Sequence, residues 1–270
     1  MDKGRIFAYL ITIIACTLYL LPLYTMVNVS LKSPEDLIWG PVAPARRLYF
    51  NSYLQAWEKI SEPFFNSIKM TVPATLISTF LGSISGLGFY RAKFKYKDLL
   101  LFLIVLGFYV PPQAVLIPLV KFLADIGLYS TIAGLVLTHV AYGMPITTLL
   151  FKNYYESIPK EILDSAEVDG ASLTTLYRSI LLPLSLPGFA VVSIFQFTNI
   201  WNEFLFALVL GRGRASQLVT VAIANLKGTT LAAWNVQMAG AVIGAIPVAI
   251  FYIFATKLVI KGLMAGAIKG

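Results

Sequence analysis

The chain has 270 residues, of which 58% are hydrophobic and only 13% charged, and it carries a net charge of +8. An ordinary soluble domain has roughly 25% charged and 45–50% apolar residues, so this composition excludes a freely soluble globular protein and fits one whose surface faces lipid. The 21 Lys and Arg residues sit between apolar runs rather than on one continuous basic face, which argues against nucleic-acid binding and for charges that set membrane topology.

The first apolar stretch, residues 6–31, follows Lys3 and Arg5. It exceeds the ~7–15-residue apolar region of a cleaved signal, and no small-x-small site ends it. The expectation is an uncleaved first span. The single cysteine, Cys16, lies inside it and can form no disulfide within the chain. Five further stretches reach the ~20 apolar residues needed to cross ~30 Å of hydrocarbon: 66–90, 99–122, 131–151, 184–210 and 236–260. Helices are the expected form, because lipid offers no water to unpaired backbone groups. The alternation of a membrane β-barrel is missing. Six membrane-spanning helices in an all-α membrane protein are therefore predicted.

Between the second and third stretches lie Arg91, Lys93, Lys95 and Lys97, with Asp98 just beyond. So short and basic a loop is expected in the cytoplasm. Counting spans from it places both termini and the 152–183 loop on the same side. These cytoplasmic segments hold 12 of the 21 basic residues. The long loop 32–65 falls outside. Pro22, Pro73, Pro111, Pro112, Pro118, Pro145 and Pro247 lie within spans. Each removes a backbone donor and can kink a helix. Gly82 with Gly86, and Gly240 with Gly244, leave flat faces where another helix can come close, within the chain or across a subunit interface. The only histidine, His139, lies in the fourth stretch. It is read as a packed, hydrogen-bonded side chain, since a proton relay needs partners and none is nearby in sequence. No Cys/His cluster has metal-ligand spacing.

The loop after the fourth span is too patterned for a connector. At 100° per residue, Ile162, Leu163, Ala166, Leu173, Leu176, Tyr177 and Ile180 share an arc of about 140°, with Glu161, Asp164 and Glu167 outside it. Pro159 and Glu161 suit a helix start. Gly170 is expected to break the segment into two short helices, with Ser172 capping the second. A helix lying on the membrane surface usually has a basic polar face. This one carries Glu161, Asp164, Glu167 and Asp169 against Lys160 and Arg178, so a protein docking site is the better reading.

This segment resembles the "EAA" signature of ABC importer permeases. Asp164-Ser165-Ala166, Gly170, Ile180 and Leu182-Pro183 fall in its register, with Asp for Glu and Ser for the first Ala. The resemblance implies the type I (MetI-like) importer permease fold. It also implies a coupling helix that sits in a groove on a separate ATPase. On this resemblance Glu161, Asp164, Ser165, Ala166, Glu167, Asp169, Gly170, Ala171 and Ser172 would be its coupling residues. Ala166 and Ala171 would allow close approach to the groove. No Gly-x-x-x-x-Gly-Lys-Ser/Thr loop occurs in the chain. No cofactor is expected here, and ATP and Mg would belong to the partner ATPase. No constellation of nucleophile and acid/base groups points to an enzyme.

The fifth span carries Gln196, Asn199, Asn202 and Glu203, and the first, second and last of these lie within about 60° on a helix. Ionisable groups in a span usually face a cavity or a partner. These residues either line a solute path or knit helices together, and Trp201 beside them can stack on a sugar ring or simply pack. Ile200-Trp201-Asn202-Glu203-Phe204, Ile117-Pro118-Leu119 with Gly127-Leu128, Val168 to Ser172, and the Lys261–Gly270 tail resemble sugar-importer permeases, in particular the smaller inner-membrane subunit of maltose-type importers. That resemblance implies a second homologous permease subunit, two ATPase copies, an extracytoplasmic sugar-binding protein and a place in the cell membrane. It divides the chain into a first helix and outer loop (1–61), a transport domain (62–260) with the coupling loop 152–183, and a cytoplasmic tail (261–270). A permease for another solute is compatible with the loop signature alone. A self-contained secondary transporter coupled through Glu203 or His139 would instead show inverted repeats, and none is convincing.

Overall fold

The computed structural model describes residues 3–226 and 234–267. Among these every regular element is helical: α1 Lys3–Ser30, α2 Asn51–Arg91, α3 Lys97–Leu106, α4 Pro112–Asp125, α5 Ile132–Glu156, α6 Lys160–Val168, α7 Leu173–Thr175, α8 Leu182–Leu184, α9 Leu186–Asn202, α10 Leu205–Leu210, α11 Val219–Asn225 and α12 Trp234–Ala267. A π-helical stretch, Leu176–Leu181, joins α7 to α8. The Lys269–Gly270 end of the tail lies outside the described residues.

Among the described residues, four helices are long and apolar enough to cross a membrane: α1, α2, α5 and α12. Six spans result if two bent helix pairs each count as one. The expected single helix over 99–122 is in fact broken. Lys97–Tyr109 and Pro112–Asp125 meet at 91°. The cause is local, since a residue before proline is pushed to extended backbone. Val110 precedes Pro111, and Pro111 precedes Pro112; both are extended, at ψ 121° and ψ 126°. The expected 184–210 span ends likewise at Asn202, and α10 follows as a separate helix. Leu173–Leu184 meets α9 at 74°. Pro187 has no N–H to offer the carbonyl of Pro183, so one helix cannot run through. The second span is longer than expected, because α2 starts at Asn51 inside the loop assigned to 32–65.

The chain divides into two compact units. The first comprises 1–64 and 219–246. Its loop after α1 is tied down by Asn28, whose amide donates to the carbonyls of Pro41 and Ala43 at 2.8 Å each and accepts from the Ala45 N–H at 3.1 Å. Lys32 is fully buried and donates to the Gly40 carbonyl at 2.6 Å. Gly240 and Gly244 face Leu226 and Ile223, where an added Cβ would lie 2.7 Å from a methyl group in each case.

The second unit comprises 65–218 and 247–270. Gly82 and Gly86 of α2 lie against α5. A Cβ at Gly82 would overlap the Thr147 hydroxyl, and one at Gly86 would lie 2.8 Å from the Lys152 nitrogen and Phe151 Cβ. Both small-residue pairs therefore serve contacts within the chain. Close backbone approach also brings polar groups together: Thr147 Oγ1 donates to the Ser78 carbonyl at 3.1 Å. In a span, such bonds supply polar partners that lipid does not.

Candidate functional site

Two places in the second unit collect the residues singled out by sequence. The first is the segment after α5. Pro159 stands at the N-cap position of α6, with extended backbone, and Glu161 lies in the first turn. The helix ends in a Schellman arrangement. The Gly170 N–H donates to Glu167 O at 3.0 Å and the Ala171 N–H to Ala166 O at 2.9 Å. Gly170 supplies the left-handed residue this needs, at φ +77°. Ser172 then caps the next helix, its hydroxyl accepting from the Thr175 N–H at 3.2 Å. The two-part segment with its glycine break and serine cap forms as expected.

The apolar arc divides. Leu163, Ala166, Leu176 and Leu181 are buried in a cluster with Leu87, Phe151, Tyr155, Ile158 and Val192. Burying each leucine is worth roughly 1.5–3 kcal/mol, which holds the segment onto the unit. Ala166, expected at a partner's groove, packs instead inside this chain's own core, where its small side chain lets α6 seat closely. Ile162 and Leu173, expected on the buried arc, are exposed, because the turn at Gly170 breaks the common helical phase of the two halves. Glu161, Asp164, Ser165, Glu167, Asp169, Gly170 and Ser172 are exposed, and Ala171 is half-buried. Val168, named in the sequence only as the start of the Val168–Ser172 stretch and not among the coupling residues, is 87% exposed, and Leu173 is 59% exposed. Val168 and Leu173 are thus exposed apolar side chains on either side of the glycine turn, and Leu173 lines a cavity with Phe80, Ile84 and Leu87 of α2.

The segment is anchored to two helices. Arg91, at the end of α2, forms an ion pair with Glu167. Ser83 of α2 shares its hydroxyl with Tyr155 of α5 at 2.6 Å and with Tyr177, in the π-helical stretch, at 2.9 Å.

The second place is a cavity of about 250 Å³ lined by Phe108, Pro112, His139, Tyr142, Gly143, Gln196, Asn199, Ile200, Glu203 and Phe206. It gathers Gln196, Asn199 and Glu203, the three that share a helical face. Trp201 is buried away from it, stacked on Phe197 at 5.9 Å between centroids, and Asn202 is exposed but not part of its lining. Glu203 ends α9, and its carboxylate accepts from the N–H groups of Phe206 at 2.9 Å and Ala207 at 3.1 Å. It therefore caps α10, where an acid complements the free amides of a helix start. Gln196 is buried and donates to Ser78 Oγ at 3.0 Å. Gly143 leaves the room it needs, since a Cβ there would collide with the Gln196 amide. His139 and Tyr142 line the same cavity. His139, read from sequence as a packed, hydrogen-bonded side chain, is buried, but its Nε2 has no hydrogen-bond partner among the described residues; Tyr142 was not singled out, because its neighbours in the cavity come from α9 and α10, distant along the chain.

Residues 78–264 match the family described as binding-protein-dependent transport system inner membrane component. A probable ABC transporter permease protein from Pyrococcus horikoshii is 44% identical over 272 residues, covering 100% of this chain and 99% of the relative. This chain belongs to that family of inner-membrane transport components. The xylose/arabinose import permease of Haloferax volcanii is 34% identical to the permease, covering 99% of this chain and 94% of its own length. Among solved structures, a bacterial ABC transporter involved in the import of the acidic polysaccharide alginate shares the fold, with a TM-score of 0.78 and 21% identity over 95% of the permease and 98% of that chain. The permease is thus a multi-pass membrane protein, and the α6 segment lies inside the family match.

Proposed function

We propose that the permease is one membrane subunit of an ATP-driven importer of a carbohydrate. A second homologous permease would complete the path, two copies of a separate ATPase would bind ATP and Mg, and an extracytoplasmic binding protein would deliver the sugar. Both termini and the α6 segment then face the cytoplasm, as the basic loop at 91–97 supports.

The observation that carries this reading is the segment Lys160–Leu184. Its inner side is fixed in the core by Leu163, Ala166 and Leu176, while Val168, Leu173, Glu161, Asp164 and Asp169 are exposed. A rigidly mounted segment with exposed apolar and acidic side chains is suited to sit in a groove on another protein and to pass that protein's movement into the attached helices. The xylose/arabinose permease, aligned over almost the whole chain, supports a sugar as cargo.

The test is reconstitution of the full complex in proteoliposomes with labelled xylose, arabinose, glucose and maltose. Uptake should require ATP, and replacing both Val168 and Leu173 with Asp should strip the ATPase from the purified permease. Uptake without ATP, or full ATPase retention by the double variant, would overturn the reading.

A further inference from the structure

Two cavities at the basic-loop end of α2 share Arg91 and Ala92 and differ in chemistry. The first, about 650 Å³, is mostly apolar. Phe80, Ile84, Leu87 and Gly88 of α2 line it at helical spacing, with Leu173 and Tyr177 completing the wall. Its apolar surface is open to a ligand: Phe80 is 47% exposed, Ile84 46% and Leu173 59%. Tyr177 is held in place by a hydrogen bond with the Ser83 hydroxyl at 2.9 Å and by the Phe80 ring, edge-on at 6.4 Å. Arg178, exposed, also lines this cavity. The second cavity, about 320 Å³, is polar, and Arg91, Lys93, Lys97 and Lys160 line it with Asp164 and Glu167. Among the described residues lining the two cavities, five are therefore cationic and two acidic, and Arg91 is already paired with Glu167. A positive surplus adjoins an open apolar groove at the end of a membrane-spanning helix.

We propose that these adjoining cavities hold one anionic phospholipid, its headgroup among Arg91, Lys93, Lys97 and Arg178 and an acyl chain along Phe80, Ile84 and Gly88. Three features select this occupant. From Phe80 to Arg91 the helix rises roughly 16 Å, about half of the ~30 Å hydrocarbon core, so the groove has the depth of one leaflet. Guanidinium groups match phosphate with paired N–H donors and keep their charge, and basic pockets beside spans recognise anionic headgroups. The two cavities together also need both halves of an amphiphile. A helix of another subunit would cover the apolar wall but leave the positive surplus unanswered, and a free anion would do the reverse. Gly88 keeps the groove open, since nothing lies within 4 Å of a Cβ placed there. Because Leu173 and Arg178 follow the turn at Gly170, a lipid bound here ties that segment to α2.

The experiment is native mass spectrometry of the permease, purified with the subunits that accompany it and exchanged into detergent carrying phosphatidylglycerol or phosphatidylcholine with the same acyl chains. Phosphatidylglycerol should be retained about tenfold more than phosphatidylcholine. Gly88→Leu fills the groove without a clash inside the chain and should abolish retention. It should melt no earlier, because leucine is a better helix former than glycine. Arg178→Gln should lower retention about fivefold. Glycerol phosphate, which has the charge and no chain, should not compete. Equal retention of the two lipids, or unchanged retention in either variant, would overturn the proposal. Displacement by glycerol phosphate would overturn it too, leaving a site for a free anion. A photoreactive side chain at Phe80 reports the occupant in the native membrane. A lipid adduct supports the proposal, whereas an adduct to another protein chain would show that a subunit covers the groove and would overturn it. No readout here depends on transport, so a failed sugar assay would remove the carbohydrate reading and leave the lipid site standing.

Discussion

Arg91 and Glu167 are ion-paired across 76 positions of sequence, joining the last residue of α2 to the outer face of α6. The side chains are 32% and 49% exposed, so the pair contributes little to stability, about 0–1 kcal/mol. Its importance is positional, because it fixes the outer edge of a segment whose inner edge is held by Leu163 and Ala166. Arg91→Ala and Glu167→Gln should therefore leave the melting temperature nearly unchanged. Each should lower sugar uptake per ATP hydrolysed by about two- to fivefold, on the order of 0.5–1 kcal/mol of lost positioning. The exchange Arg91→Glu with Glu167→Arg should recover most of the ratio. Parallel uptake and phosphate-release measurements on proteoliposomes check this. Recovery that fails while both single variants remain folded would show that the acid at 167 serves a partner rather than Arg91.

Gly170 separates backbone strain from bulk. Its φ of +77° is the left-handed region, yet nothing lies within 4 Å of an added Cβ. Space inside the chain is therefore no obstacle, and any penalty arises from backbone conformation or from a partner surface. A non-glycine residue there costs about 1–2 kcal/mol, and asparagine is among the few that visit this region routinely. Gly170→Asn should keep near-normal uptake, whereas Gly170→Val should distort the turn between α6 and α7 and reduce uptake about tenfold while the spans still insert. If Asn and Val variants were equally impaired in uptake, crowding at a partner surface would outweigh the backbone term.

The legible parts of this molecule were those decided by neighbours in sequence. Gly170 as a break and Ser172 as a cap depend on residues three to five away, and both form as read. The acid at Glu203 was noticed, but its bonds to Phe206 and Ala207 are equally local and could have been read as a helix cap. The double proline at Pro111-Pro112 was also visible. Treating it as a kink overlooked that two successive residues are forced extended, which breaks the span outright. What sequence could not reveal is tertiary. His139 joins Gln196 and Glu203 only when α5 packs beside α9. The exposure of Ile162 and Leu173 follows from a change of helical phase at the turn, which a continuous 100° projection cannot register.

The three hydroxyls of Ser83, Tyr155 and Tyr177 allow an ordered prediction. Ser83 and Tyr155 are fully buried, while Tyr177 is only partly so. Ser83 sits at the centre, bonded to both tyrosines. Removing the centre takes the Ser83 bond from both tyrosines and leaves Ser185 as the remaining side-chain partner of the buried Tyr155 phenol, whereas removing the Tyr177 hydroxyl leaves the Ser83–Tyr155 bond intact. A net hydrogen bond is worth roughly 0.5–1.5 kcal/mol, and an unsatisfied buried group costs about 1–3 kcal/mol. Ser83→Ala should therefore lower the thermal stability of the purified complex by more than Tyr177→Phe does. Because Tyr177 lies in the π-helical stretch that follows the exposed tip, its loss should show mainly in transport. ATP hydrolysis should continue while sugar uptake falls about two- to fivefold, the equivalent of one hydrogen bond removed from the link. Differential scanning fluorimetry, run beside the uptake assay, reads both quantities on the same preparations. A Tyr177→Phe complex that melted earlier than Ser83→Ala yet transported normally would assign these hydroxyls to stability alone.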